Sequence, residues 1–116
     1  MNKDIFTKIT DLINNNEISK AQIELSKLHS NYQNNSEYLF LRSKIFYLNK
    51  LYYLAIDTLL VALEFGENDQ IYNLLAEIYN TLGNNELNKK FSSLDLRQEA
   101  ANSLKDELSG IFRKNN

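Results

Sequence analysis

Cysteine is absent from the 116-residue chain, which excludes a disulfide framework and any thiolate-ligated metal. Proline is absent too, and glycine occurs three times, at Gly66, Gly83 and Gly110, so the usual breakers of helix interiors are nearly missing. Alternation of apolar and polar residues never runs long enough to compete with helical spacing, and the expected fold class is all-α. Excess positive charge is lacking as well. Thirteen Lys and Arg against 15 Asp and Glu leave a formal net charge of −2, with no basic field to gather phosphate backbones, so no nucleic acid is expected as a partner. The longest apolar stretch, 51–65, falls short of the roughly 20 residues a bilayer core requires and contains Asp57, so no membrane span is expected. The first ten residues hold no continuous apolar run of the kind a secretory leader needs, and a cytoplasmic location follows as an expectation.

What is present suits a globular domain. Apolar residues make up 43% and charged residues 24% of the chain, and the length fits a single domain, 1–116, able to bury a core of its own. Ile5, Phe6, Ile9, Leu12 and Ile13 form one helical stripe, interrupted by Asn14, Asn15 and Asn16. A second helix is expected over 17–30, with Ile18, Ala21, Leu25 and Leu28 inward, and a third over 36–48, capped by Asn34 with Glu37. The stretch 51–66 is apolar nearly all round, and a helix of that kind must be covered on most sides, so it is expected at the centre of the stack. Gly66 would end it in the left-handed conformation, as Gly83 would end the next helix, 69–82, which buries Ile71, Tyr72, Leu75, Ile78, Tyr79 and Leu82. Leu87, Phe91 and Leu94 mark a short sixth helix. Asp95 with Gln98 could cap a seventh carrying Ala101, Leu104, Leu108 and Ile111, with Arg113 and Lys114 at its negative end; the two could equally be one continuous helix.

These helices recur in pairs. Ile5 and Leu39, Leu12 and Phe46, Ile18 and Tyr52, Ala21 and Ala55, and Leu25 and Leu59 all stand about 34 residues apart, and Phe46 precedes Tyr79 by about the same interval. Tyr72-x2-Leu75-Ala76-x2-Tyr79 matches the first-helix pattern W-x2-L-G-x2-Y, and Leu39-x2-Arg42-Ser43-x2-Phe46 matches it in part. Ala55-x3-Leu59-x2-Ala62 suits the second helix, where small side chains let neighbouring backbones approach. On these residues the chain resembles the tetratricopeptide repeat family. The resemblance implies a right-handed α-solenoid of about seven helices: repeats at about 2–35, 36–68 and 69–94, then a capping helix over about 95–113. Two departures stand out. Ile9 occupies a small-residue place in the first repeat, and in the third the apolar series falls one residue early, at Leu87 and Phe91, leaving Asn88 and Ser92 where Ala55 and Leu59 stand in the second.

The same resemblance implies a non-enzymatic role, binding a peptide or amphipathic helix of a partner protein in a groove formed by the first helices. The groove positions carried over are Lys3, Phe6, Thr10 and Ile13, then Glu37, Phe40, Lys44 and Tyr47, then Gln70, Asn73, Glu77 and Asn80. Lys3, Phe6, Thr10, Ile13, Phe40, Lys44, Tyr47, Asn73, Glu77 and Asn80 are the candidate site. Phe6, Ile13, Phe40 and Tyr47 suit the apolar face of a helix, with Lys44 and Glu77 setting register. The basic clamp by which some members hold a chaperone's terminal carboxylate is missing, since its places are filled by Phe6, Thr10, Leu41, Gln70 and Leu74. Two alternatives remain open: a small secretion-type chaperone for an aggregation-prone helical subunit, and an assembly subunit that associates with copies of itself.

Catalytic chemistry finds no support in the residues. His29 is the single histidine, and neither a nucleophile elbow nor a strand framework accompanies it, so it is read as a surface residue near a helix end. Glu24, Asp57, Glu64 and Glu77 lack ligand spacing, and the isolated glycines form no phosphate loop, so neither metal nor cofactor is expected. Asp57 is expected at the solvent edge or beside a lysine.

Overall fold

Short polar side chains start four of the helices of this protein. A computed structural model describes residues 4–115, with side chains for residues 4–108, and the described residues form eight helices and no strand. These are α1 (Ile5–Asn14), α2 (Ile18–Ser26), α3 (His29–Tyr32), α4 (Ser36–Leu48), α5 (Tyr52–Phe65), α6 (Asp69–Thr81), α7 (Asn85–Ser92) and α8 (Arg97–Asn115). Asp4 accepts a hydrogen bond from the Phe6 amide at 3.0 Å, Asn35 from Tyr38 at 2.9 Å, Asn68 from Ile71 at 3.0 Å and Asn84 from Leu87 at 3.0 Å. Each satisfies an amide that the helix itself leaves unpaired, worth about 1 kcal/mol. The cap of α4 is therefore Asn35 rather than the expected Asn34.

Three of the helix ends share one geometry. Asn16, Lys50 and Gly83 adopt left-handed φ of 62°, 64° and 79°. Their amides donate to Ile13, Tyr47 and Asn80, while the amides that follow, of Glu17, Leu51 and Asn84, donate to Leu12, Phe46 and Tyr79 at 2.8 to 2.9 Å. This paired closure satisfies two carbonyls of the last helical turn and reverses the chain. It recurs at the interval of the sequence repeat. Gly66 behaves differently from expectation: its φ of 169° is extended backbone, so no left-handed turn explains it. A Cβ there would stand 3.1 Å from the Ser36 Cβ, and the Ser36 hydroxyl donates to the Gly66 carbonyl at 2.8 Å. Close approach to the start of α4, not conformation, calls for glycine.

Contacts divide the chain after Ile71 into two units. In the first, α1 packs on α2, and α4 packs on α1, α2 and α5. Ile9, Ala21, Leu25, Leu41, Ile45, Ala55, Leu59 and Ala62 are buried there. The helix covered on most sides is α4, whereas α5, expected at the centre, leaves Tyr53 72% exposed and Leu54, Val61 and Phe65 exposed as well. Ala55, Leu59 and Ala62 are buried on α5, as their small-and-leucine spacing suggests. Asp57 is exposed, at the solvent edge as expected.

The expected second helix is broken. After α2 the chain turns through Lys27 and Leu28, whose carbonyl accepts from both Asn31 and Tyr32, before the single turn of α3. The break returns Tyr32 to α1, where its ring meets that of Phe6 edge-on at 5.4 Å. It also brings His29 beside α4.

In the second unit Phe91 is fully buried on α7, its ring stacked on Tyr79 of α6 at 5.7 Å and on Tyr72 at 6.5 Å. The Arg97 guanidinium covers Tyr72 at 4.4 Å from the ring centroid. Asn88, in the place of the small residue, is half-buried and donates to the Ala76 carbonyl at 2.8 Å. The early apolar series thus fits α7 through Phe91, but Leu94 does not join it: Ser93 is extended, the helix stops at Ser92, and Leu94 is 78% exposed. The same Ser93 separates α7 from α8, so they are not one helix. Asp95 lies in the turn ahead of α8, whose first amides bond to the Ser93 and Leu96 carbonyls. Ala100 and Ala101 are buried and Leu104 and Leu108 half-buried, while Asp106 and Glu107 face solvent. The side chains of Ile111, Arg113 and Lys114 lie outside the described ones.

Candidate functional site

Helices α1 and α4 bring together the first two sets of expected groove residues, all within the first unit. Lys3 lies outside the described residues. Phe6 and Ile13 are core residues, each 7% exposed, and present little surface to a partner. Thr10 is half-buried and spends its hydroxyl on the Phe6 carbonyl at 2.8 Å. Phe40, Lys44 and Tyr47 are half-exposed on α4, and the Tyr47 ring leans on Tyr52 at 5.8 Å. The accessible part of the set is therefore the aromatic-and-lysine face of α4. Asn73, Glu77 and Asn80 are exposed on α6, in the second unit, at the helical spacing that puts them on one face.

Electrostatics at the start of α4 single out Glu37. Partial burial pushes its carboxyl above the ordinary glutamate value, and the neighbouring charge of Asp4 adds to the shift. Across α1 and α2, Glu24 is held below its ordinary value, first by the hydrogen bond and charge of Lys27 at 3.2 Å and then by Lys8 at 3.7 Å.

A second cluster escaped the sequence reading. The Tyr38 hydroxyl, on a side chain 1% exposed, lies 2.9 Å from His29 Nδ1 and accepts from Arg42 Nη1 at 3.2 Å. Arg42 Nη1 also reaches His29 Nδ1 at 3.4 Å, and its guanidinium stands 5.4 Å from the Phe46 ring centroid. The Tyr38 hydroxyl and His29 Nδ1 share one hydrogen bond, and the imidazole tautomer sets which of them donates. His29 is exposed near a helix end, as expected, yet it is tied to the core. The one available signal was Arg42 itself, a cation in the place that the expected pattern pairs with Leu75, which is fully buried on α6.

The second unit has a hollow of about 420 Å³ between α7 and α8, where Lys90 pairs with Glu86 at 3.1 Å. Among the described residues no three His, Cys, Asp or Glu side chains are grouped to hold a metal ion, and no helix is long and apolar enough to cross a membrane. Comparison with family models, curated proteins and solved structures returned no match to the chain.

Proposed function

We propose that the chain is a non-enzymatic protein-interaction module of the tetratricopeptide type, an α-solenoid of helix pairs that seats a peptide or amphipathic helix of another protein. The observation that supports it best is the left-handed turn at Asn16, Lys50 and Gly83, which closes the first helix of each pair at the interval of the sequence motif. The packing of α4 on α1, α2 and α5 is the neighbour pattern that stacked helix pairs require. Phe40 and Tyr47 supply an apolar face for a partner helix, and Lys44 beside them favours an acidic residue at its edge. A Phe40→Glu, Tyr47→Glu double variant should lose partner capture in a pull-down while its circular dichroism stays helical. Undiminished capture would refute the assignment of the groove.

One observation favours a second reading, assembly with copies of the same chain. Helix α5 and the residue before it expose five large apolar side chains, Leu51, Tyr53, Leu54, Val61 and Phe65, with Asp57 exposed among them. Light scattering at two protein concentrations separates the readings, because a strict monomer excludes the assembly.

A further inference from the structure

Arg42 faces a cavity of about 370 Å³ in the first unit, bordered by α2, α3, α4 and the turn before α5. That volume lies at the small end of the range of ligand pockets. Its cation is unusual for the place it occupies, because the equivalent leucine of α6 is wholly buried in the core. The groups around Arg42 carry no negative charge: the Tyr38 hydroxyl, His29 Nδ1 and the face of Phe46. Among the described residues no carboxylate lies within ion-pair distance of it. Glu24, the acid on α2, is engaged with Lys27 and Lys8. No acidic residue lines the cavity.

Nη1 of Arg42 is occupied by Tyr38 and His29, while the edge formed by Nε and Nη2 has no acceptor among the described residues. That edge is a planar pair of donors matched to the two oxygens of a carboxylate. Gln22 and Asn49 add amide donors to the lining, and Leu25, Ile45 and Leu51 add apolar surface. A single cation balances a single negative charge, which favours a carboxylate over a phosphate dianion. The apolar part of the wall favours a ligand with a hydrocarbon body.

We propose that this cavity binds a monoanionic carboxylate with an apolar body, with the Nε and Nη2 edge of Arg42 as its anion contact and the Tyr38 hydroxyl and Phe46 ring as the groups that hold the guanidinium in place. The site is separate from the Phe40 and Tyr47 face and does not rest on the groove reading. The carboxylate could belong to a free organic acid or to the terminus of a peptide, since the recognising chemistry is the same.

The test uses the full chain at neutral pH, with the imidazole proton resonances of His29 as reporter; they are assigned without ambiguity because the sequence has one histidine. Hexanoate represents the free acid, and an N-acetylated tripeptide ending in leucine represents the terminus. At least one should shift the His29 resonances saturably, and whichever binds tighter identifies the source. Hexanamide and the peptide amide should bind about tenfold more weakly or worse, the loss expected when a charge-assisted contact is replaced by a neutral one. Arg42→Gln should weaken the acid by a similar factor, and Arg42→Lys, which keeps the charge without the planar fork, should also bind it less tightly than wild type. Failure of both acids to saturate, equal binding of acid and amide, or unchanged binding by a folded Arg42→Gln chain would each overturn the proposal. The acid-against-amide comparison is made on the wild-type protein and does not depend on any variant folding.

Discussion

Lys50 and Gly83 perform the same backbone task with different side chains, and exchanging their chemistry tests the recurrent turn directly. Lys50 holds φ at 64° and Gly83 at 79°, in the left-handed region where a Cβ crowds the following carbonyl. An L-residue there costs about 1 kcal/mol or somewhat more, whereas glycine pays a smaller penalty of about 0.4–1 kcal/mol through the freedom of its unfolded chain. Lys50→Gly should therefore stabilise by about 0.5 kcal/mol. Gly83→Ala, the reverse exchange, should destabilise by about 0.5–1 kcal/mol, the strain less the unfolded-chain gain and with no clash added, because a Cβ built on Gly83 meets nothing within 4 Å. For a domain near this size 1 kcal/mol moves Tm by about 4–8 °C, within reach of thermal melts followed by far-ultraviolet circular dichroism. Lys50→Ala is the control: it removes the charge while leaving an L-residue in place, and should be nearly neutral. The two positions lie in different contact units, so if these melt apart, each substitution moves its own transition. The reasoning fails if Lys50→Gly and Lys50→Ala melt together, or if Gly83→Ala melts with wild type.

Phe91 is the next test of packing: Phe91→Ala removes a buried ring stacked on two tyrosines and should cost about 3–5 kcal/mol in urea unfolding, whereas Phe91→Leu should recover most of the burial but not the stacking. A cost below about 1 kcal/mol would show that the second unit is not built on that ring. Glu37 yields a pH prediction. Its folded-state pKa is raised by burial and by Asp4, so the folded chain holds the proton more tightly than the unfolded chain. The stability this lends is present below the ordinary glutamate value of about 4.3 and is lost as pH rises through the raised value. Glu37→Gln, which cannot ionise, should melt higher than wild type at neutral pH, and the gain should vanish on acidification; a gain constant with pH would point to some other cause.

Repetition made much of the fold legible. Helix existence, the buried faces of the helix at 69–81 and the small residues Ala55 and Ala62 all follow from spacing, because a helical period fixes which side chains share a face. What spacing could not reveal depended on contacts distant in sequence. Nothing in residues 17–30 announces a break at Lys27 and Leu28; the reward for it is the meeting of Tyr32 with Phe6 and of His29 with Tyr38. Gly66 looked like a helix terminator, yet its reason is Ser36, thirty residues earlier. The Arg42 cluster was hidden for the same cause: Tyr38 and Arg42 stand one turn apart on α4, but His29 joins them only once the chain has turned back at the start of α3.

Helices α4 and α5 show why apolar content is a poor guide to which helix is enclosed. Periodicity states which side chains can be buried, not whether a neighbour exists to bury them. Helix α4 carries Ser43 and Tyr38 in its buried set and is nevertheless enclosed, because Ser43 donates to the Phe40 carbonyl at 2.7 Å and the Tyr38 hydroxyl is satisfied by His29 and Arg42. Polar groups with local partners lose little on burial. Helix α5 has few polar groups to satisfy and packs on α4, yet Tyr53, Leu54, Val61 and Phe65 stay exposed. Each forgoes about 25 cal/mol for every Å² that could be covered, so that face releases free energy to whatever covers it. The Phe40 and Tyr47 face of α4 has less to release, because its aromatics are already half-covered by their own unit. If the proposed groove is the binding face, its affinity must come from shape and from Lys44 rather than from bare area, and a partner that binds tightly through area alone would be expected on α5 instead.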